Sequence, residues 1–285
     1  FLKIDKEGNI SSKLLKIIKE KYQYIIIDEI SMIGKELWKR INLLKINSNI
    51  KFLLLGDEKQ CPPVENEDIE DYFNHPAVKS ICNYNRNVLD VRKRYDEKLY
   101  NILEDVNNIK IDYAHAIKEP LTERNICYYN KTRKRINKYW NDKKKNDKDL
   151  FIPADEENDK TQDMYIYEGL PVIAMKTKHD GDNILFANSE TFNVGNIDNE
   201  YISLCCERPD ENGEKEMYIY DCLIEDFRDY FLLNYCSTTH KSQGETITEE
   251  YTIYDWDGMT TKIKYTALSR AVKYENVYFG YGERE

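Results

Sequence analysis

Short apolar runs that stop abruptly at charge alternate along this chain with stretches of helical spacing, and the pattern predicts an α/β protein. Tyr24-Ile25-Ile26-Ile27 reads as a strand buried in a parallel sheet. It ends on Asp28-Glu29 and runs on as Ile30-Ser31-Met32. Lys51-Phe52-Leu53-Leu54-Leu55 repeats the design and ends in Gly56-Asp57-Glu58-Lys59-Gln60-Cys61-Pro62-Pro63-Val64. A turn is expected at Lys6-Glu7-Gly8-Asn9, then a helix over residues 12–18 capped by Ser11 or Ser12. Leu37, Trp38, Ile41 and Leu44 mark a second amphipathic helix, with Trp38 in the core.

Farther along, residues 65–79 are acidic and loop-like. Residues 81–86 read as a short strand and turn, and Val88, Val91, Tyr95, Leu99, Ile102 and Val106 as the apolar stripe of a long helix. Asn125-Ile126-Cys127-Tyr128-Tyr129 predicts a strand. Asn130 is placed to cap a solvated basic helix with Lys131, Arg133, Lys134, Arg135 and Lys138, whose start could hold a phosphate. Residues 141–148 are too charged to bury and read as a linker. From Met164 to Phe231, short strands separated by Gly, Asn and Asp turns predict a small β-barrel or sandwich inserted into the larger α/β domain. Residues 231–236 return to the core, and 251–254, 264–271 and 277–279 give a strand, a helix and a last strand.

The ends of the apolar runs carry the candidate chemistry. Parallel strands deliver their C-terminal residues to the sheet edge where ligands of α/β folds bind. There, one of Asp28 and Glu29 could hold Mg²⁺ through its waters and the other act as base toward a water. Taken in isolation, such a pair is more often two solvated acids. Gly56 permits close backbone approach, and Asp57 and Gln60 would sit beside the first carboxylates. Arg86, at a predicted junction, is either a surface charge or a phosphate sensor. Ser237-Thr238-Thr239-His240-Lys241-Ser242-Gln243-Gly244-Glu245-Thr246 gathers hydroxyls, a histidine, a lysine and a glycine in one loop, which suits a nucleic-acid backbone.

Composition narrows the class. The 285 residues suffice for two domains and a small insertion. The net charge of −10 excludes a uniformly basic surface but not a local groove. Seven cysteines without C-x-x-C spacing suggest reduced thiols rather than a disulfide framework or zinc site. No apolar run is long enough to span a bilayer and no secretory pattern opens the chain, so no membrane partner is expected. The default is an intracellular location, with nucleus, cytoplasm and viral factory undistinguished. The excess of Lys, Asn, Ile and Tyr suits an AT-rich genome.

The ordered succession IIIDEISMIG, LLLGDEKQCPPV, TTHKSQGET and YTALSRA resembles motifs II, III, V and VI of superfamily 1 DNA helicases. The Ser-Met after Asp-Glu and the His-Lys-Ser-Gln-Gly form are similar to the Pif1/RecD-like branch. NICYYNKTRKRIN resembles a strand and helix of the second RecA-like domain in that branch, and YEGLPVIAMKT with FANSETFNV its SH3-like insertion. The resemblance implies tandem RecA-like domains, the first N-terminally truncated, with an inserted small SH3-like β-barrel. The divisions are 1–80 (domain 1A), 81–160 (2A, first part), 161–230 (the 2B insertion) and 231–285 (2A, second part).

It further implies ATP and Mg²⁺ as cofactors and 5′→3′ movement on single-stranded DNA toward duplex junctions, with replication or recombination proteins as further partners. Asp28 would coordinate Mg²⁺, Glu29 activate water, Gln60 sense the γ-phosphate, and Arg270 act as an arginine finger, a part that Arg86 would share. Gly244 would join the nucleotide contacts. Pro62, Thr239, His240, Lys241 and Ser242 would lie along the DNA. Two departures stand out. Ser189 occupies a position where the family commonly has Gly after Asn, while Asn188 tolerates the left-handed conformation, so the hairpin is expected to survive. No G-x-x-x-x-G-K-[ST] loop occurs in the chain, which also lacks an initiating Met, so a fragment is expected. The alternatives are a RecD or relaxase-type recombination helicase, a single-stranded nucleic-acid-binding module without motor activity, and a superfamily 1 RNA helicase.

Overall fold

The computed structural model describes residues 12–63, 74–91, 93–111, 120–181, 183–210 and 212–281. They form two compact units, Phe1–Tyr95 with Thr261–Thr266, and Asp96–Thr260 with Ala267–Glu285. The boundary expected at 80/81 thus falls inside the first unit. The turn expected at 6–9, the Ser11 cap, Val64 and most of the acidic stretch 65–79 lie outside the described residues.

In the first unit, α1 (Ser12–Lys21), β1 (Tyr24–Ile27), α2 (Lys35–Ile46) and β2 (Lys51–Leu54) follow the predicted order. β1 and β2 pair in parallel, from Tyr24 opposite Lys51 to Ile27 opposite Leu54. Trp38 and Ile41 bury against Ile30, Ile33, Val78 and Ile81, with Ile27, Phe52 and Leu54 packed beside them. The strands are not buried on both faces as predicted. Ile25 and Ile27 turn toward the helices, whereas Tyr24 is 58% and Ile26 65% exposed, because the described helices pack on one side of a two-stranded sheet.

Residues 76–106 depart from the expected elements. Pro76 at the first helical position and the His75 ring, which accepts the Ala77 N–H, start a short helix α3 (Pro76–Ile81) in part of the stretch expected as loop, and 82–86 hold a turn without the expected strand. Asn83 and Tyr84 then take positive φ. The long helix shrinks to α4 (Glu97–Glu104), because the Asp96 carboxylate accepts the Leu99 N–H and fixes the start there. Val88, Leu89 and Val91 are exposed outside any helix.

The second unit contains a parallel sheet in the order β13 (Cys236–Thr238), β3 (Arg124–Cys127), β14 (Tyr251–Ile253), β15 (Val277–Phe279). An antiparallel sheet runs β11 (Lys215–Leu223), β10 (Tyr201–Pro209), β9 (Thr191–Ile197), β6 (Pro171–Ala174), β12 (Phe231–Leu233). Two pairs join them, β4 (Leu150–Ile152) with β5 (Met164–Ile166), and β7 (Lys178–Asp180) with β8 (Asn183–Phe186). Two further helices are α6 (Ile224–Tyr230) and α7 (Thr261–Leu268), α7 beginning in the first unit. One core runs from Cys127, Ile136 and Trp140 through Val172 and Phe186 to Phe231, so the inserted strands share the core of the α/β sheet.

Helix α5 (Asn130–Lys144) binds these parts. It buries Thr132, Arg133, Ile136, Asn137, Trp140 and Asn141, a face of helical spacing that is largely polar. Asn137 donates to the Leu233 and Cys236 carbonyls at 3.1 and 3.0 Å and accepts the Cys236 N–H at 2.8 Å. That bridge spans the point where the run 231–236, expected to return to the core, leaves the antiparallel sheet and enters the parallel one. Asn141 donates to the Tyr165 carbonyl and accepts its N–H, both at 2.8 Å. The helix therefore continues through the first part of the expected linker 141–148.

Asn130 is the first helical residue rather than the cap, and its amide oxygen accepts from Arg133 Nε. The capping carboxylate comes from Asp255, which accepts the Tyr128 and Tyr129 N–H groups at 3.1 and 3.0 Å and the Thr132 hydroxyl at 2.8 Å. Ser189 takes the left-handed conformation, with φ 68, while its N–H reaches the Ala174 carbonyl. Asp255→Ala leaves buried donors without an acceptor and is expected to lower the unfolding free energy by about 3 kcal/mol. Urea denaturation reads this, and a loss below about 0.5 kcal/mol would contradict the capping role.

Candidate functional site

Asp28 and Glu29 follow β1 directly. Pairing continues past the strands: Leu55 N–H donates to the Ile27 carbonyl at 2.8 Å and Ile30 N–H to the Leu55 carbonyl at 3.0 Å. Residues 28–29 and 55–57 therefore leave the sheet side by side. Glu29 has φ 50 and ψ 46, a left-handed conformation that costs a residue with a Cβ roughly 1–2 kcal/mol. Strain of this kind concentrates at functional positions. The Asp28 side chain accepts the Glu29 N–H at 2.8 Å.

In the neighbouring loop, Asp57 accepts the Lys59 N–H at 2.9 Å and the Tyr265 hydroxyl at 2.8 Å. Cys61 N–H donates to Thr266 Oγ1 at 2.8 Å, and Thr261–Thr266 group with this unit. The Gln60 amide oxygen is buried and has no hydrogen-bond partner, so an acceptor is left over in this loop. Pro62 is half-buried next to it. Arg86 belongs to the same unit and, half-exposed, pairs with Glu58 at 3.5 Å and Asn74 at 3.3 Å.

Among the described residues no cluster of three or more His, Cys, Asp or Glu could hold a metal. Mg²⁺ needs no such cage, because it keeps most of its waters and takes one or two carboxylates. Asp28 fits that demand. The phosphates of a nucleotide have no glycine-rich cradle in these 285 residues, so the fit to ATP is partial.

The second unit carries the 237–244 loop. Thr239 and Ser242 are fully buried, and their hydroxyls donate to the Cys127 carbonyl at 3.2 Å and the Thr239 carbonyl at 3.0 Å. They shape the loop from within. His240 and Lys241 are half-buried and reach the surface, with Lys241 Nζ donating to the Ala174 carbonyl at 3.3 Å. Burial lowers the His240 pKa, so its ring is neutral at neutral pH. Burial, then the charges of Arg133 and Lys160, bring Lys241 down to about 8. Gly244 has φ +85, which a side chain rarely adopts.

Arg270 is 1% exposed and donates to the Glu245 carbonyl at 3.2 Å and to Ser269 Oγ at 3.0 Å. Asp28, Glu29, Gln60, Pro62 and Arg86 thus belong to the first unit, and Thr239, His240, Lys241, Ser242, Gly244 and Arg270 to the second. Two residues escape sequence reasoning. Arg133, expected on a solvated face, is 3% exposed, and Asp255 carries no motif. The 3.6-residue spacing of Arg133 with Ile136 and Trp140 was the available signal for the first.

No family model matches the chain. In sequence it is 38% identical over 76 residues to the ATP-dependent DNA helicase Pif1 of Campylobacter jejuni, a match spanning 25% of this chain and 17% of that protein. In structure it is similar to Pif1 helicases over nearly its whole length. A structure of two coordinating Pif1 helicases unwinding forked double-stranded DNA matches with TM-score 0.63 and 18% identity, over 98% of this chain and 75% of that one. Pif1 helicase from Bacteroides, in complex with ADP-AlF3 and single-stranded DNA, matches with TM-score 0.60 and 14% identity, over 97% and 74%. The chain has a mixed α/β fold matching the RecA-like domains of Pif1 helicases. Among the described residues no helix is long and apolar enough to cross a membrane.

The Lys241 ε-amino group is expected to titrate near about 8, read by its ¹³Cε chemical shift. Because its folded pKa lies below the unfolded value of roughly 10.4, the unfolded chain binds more protons between the two values. The Lys241 contribution to stability therefore rises with pH across that window. A midpoint near the unfolded value would contradict the buried setting.

Proposed function

We propose that this chain is the motor portion of an ATP-dependent DNA helicase of the Pif1 type, a 5′→3′ translocase on single-stranded DNA that opens duplex junctions. The observation that carries the reading is the left-handed Glu29 beside Asp28, at paired strand ends that also bring in the unpartnered Gln60 amide oxygen. Two solvated acids at a strand end give no reason for backbone strain. A hydrolytic site that must aim one carboxylate does.

In this reading Asp28 holds Mg²⁺, which when bound neutralises charge on the phosphates. Glu29 takes a proton from water, and Gln60 uses its free acceptor to orient that water. Arg270 and Arg86 are the cations for phosphoryl charge, and Gly244 gives the nucleotide-side loop its backbone conformation. On the strand, His240 donates from a neutral ring and Lys241 supplies charge, while Thr239 and Ser242 hold the loop and Pro62 stiffens the other one. Residues 1–80 would be domain 1A, with 81–160 and 231–285 forming 2A and 161–230 an SH3-like insertion. The five-stranded antiparallel sheet with its hairpins supports that last assignment.

The phosphate loop is then supplied from outside these 285 residues. An intracellular setting with replication or recombination proteins accompanies the reading. A module that only binds single strands is the second reading, favoured by the missing phosphate loop.

The 285 residues alone are expected to hydrolyse little or no ATP, with or without single-stranded DNA. Robust DNA-stimulated hydrolysis by them would overturn the assignment of the phosphate loop. In the protein that joins this chain to its phosphate loop, Glu29→Gln is expected to abolish unwinding and leave strand binding intact. Unwinding at the unmodified rate would remove Glu29 from the hydrolytic site, and absence of unwinding before substitution would favour the binding module.

A further inference from the structure

Arg133 is the most unusual cation of the second unit. Its side chain is 3% exposed, yet it stays charged, because a guanidinium does not lose its proton in proteins. Nε donates to the Asn130 amide oxygen at 3.1 Å and Nη2 to the Lys160 carbonyl at 2.7 Å. Nη1 is buried and has no partner. The neighbouring Cys127 thiol offers no countercharge, since burial pushes its pKa well up. Among the described residues the Asp159 carboxylate favours the charged form of Arg133, and Asp159 is exposed on the loop that Arg133 holds.

Two further cations gather at the same place. Lys160 follows Asp159 on that loop and is exposed, its N–H fixed by Asn158 Oδ1 at 3.1 Å. Lys241 is half-buried with its ammonium on the Ala174 carbonyl, and the charges of both Arg133 and Lys160 act on it. Three like charges held together, one of them desolvated and short of a hydrogen-bond acceptor, raise the free energy of the unliganded fold. An anion held by the two lysines offsets the mutual repulsion of the three charges.

We propose that Arg133, Lys160 and Lys241 form a phosphate subsite that receives one backbone phosphodiester of a single strand. Lys160 and Lys241 contact the oxygens, and Arg133 lends its charge from behind through a medium that screens it poorly. The proposal rests on the strand path assigned to Lys241 above, and adds the two residues that the sequence motifs do not include.

The test uses the whole 285-residue chain and a dye-labelled oligo(dT) of about 12 nucleotides, long enough for one protein's site. Anisotropy titrations over a range of NaCl compare the unmodified chain with Arg133→Met, Arg133→Lys, Lys160→Ala and Lys241→Ala. Arg133→Met and Lys160→Ala are each expected to weaken binding about fivefold or more and to reduce the salt slope by about 0.7, the value for one phosphate on a single strand. Arg133→Lys should restore most of the loss. Arg133→Met should also move the Lys241 ¹³Cε midpoint upward, as the loss of a neighbouring positive charge requires.

If Lys241→Ala weakens binding while Lys160→Ala and a folded Arg133→Met leave affinity and slope unchanged, the subsite is wrong and the strand path stands. If Arg133→Met fails to fold, Lys160→Ala and the Lys241 midpoint with and without oligo(dT) decide, the midpoint rising on binding if the subsite is right. No binding by the unmodified chain would overturn the strand path itself. Displacement of the oligonucleotide by inorganic phosphate at constant ionic strength would assign the subsite to the free ion instead.

Discussion

Asn137 and Asn141 lie one helical turn apart on α5, and each turns an amide toward strand backbone that has lost its ladder partners. Between Leu233 and Cys236 the chain passes from an antiparallel to a parallel sheet, and no regular pairing can satisfy both sides of such a change. A buried peptide group left unpaired costs roughly 1–3 kcal/mol. Asn137 satisfies three such groups with one side chain, and Asn141 does the same for both polar groups of Tyr165. Asp255 completes the set at the helix start by accepting two N–H groups and the Thr132 hydroxyl. These contacts let one hydrophobic core run through both sheets.

The candidate strand-binding loop inherits its position from that framework. Thr239 N–H and hydroxyl both reach the Cys127 carbonyl at the end of β3, the strand that leads into α5. Ser242 closes the turn onto Thr239, and Lys241 is thereby carried to the end of β6. Arg133, one residue after the capped Thr132, is buried by the same helix geometry and cannot swing out to find a carboxylate. Its charge is fixed where Lys241 feels it.

Much of this was legible in the sequence. The apolar runs that stop at Asp28-Glu29 and at Gly56-Asp57 predicted paired parallel strands, and 24–27 and 51–54 pair in that way. The period-2 segments between 164 and 231 appeared as strands with their ends moved by a few residues. What failed has physical causes. Periodicity saw Val88 to Val106 as one helix, but a cap at Asp96 sets the start, and no local pattern reports which apolar residues stay exposed. The basic residues argued for a solvated helix, and the value of Asn137 and Asn141 as partners for distant backbone is invisible along the chain. The left-handed φ of Ser189, whose N–H bonds the Ala174 carbonyl, is a feature of the turn that no local pattern announced. At the candidate site, strand ends announced Asp28, Glu29 and Gln60. Arg133 was hidden by the same assumption that basic helices face water.

Amide hydrogen exchange of the 285-residue chain, with and without a single-stranded oligonucleotide and without nucleotide, tests most directly the claim that this loop framework grips a strand. The account predicts added protection in residues 158–161, 172–176 and 237–244, with the 28–29 and 56–60 loops unchanged. Protection confined to the first unit, or none in 237–244 at saturating oligonucleotide, would contradict it.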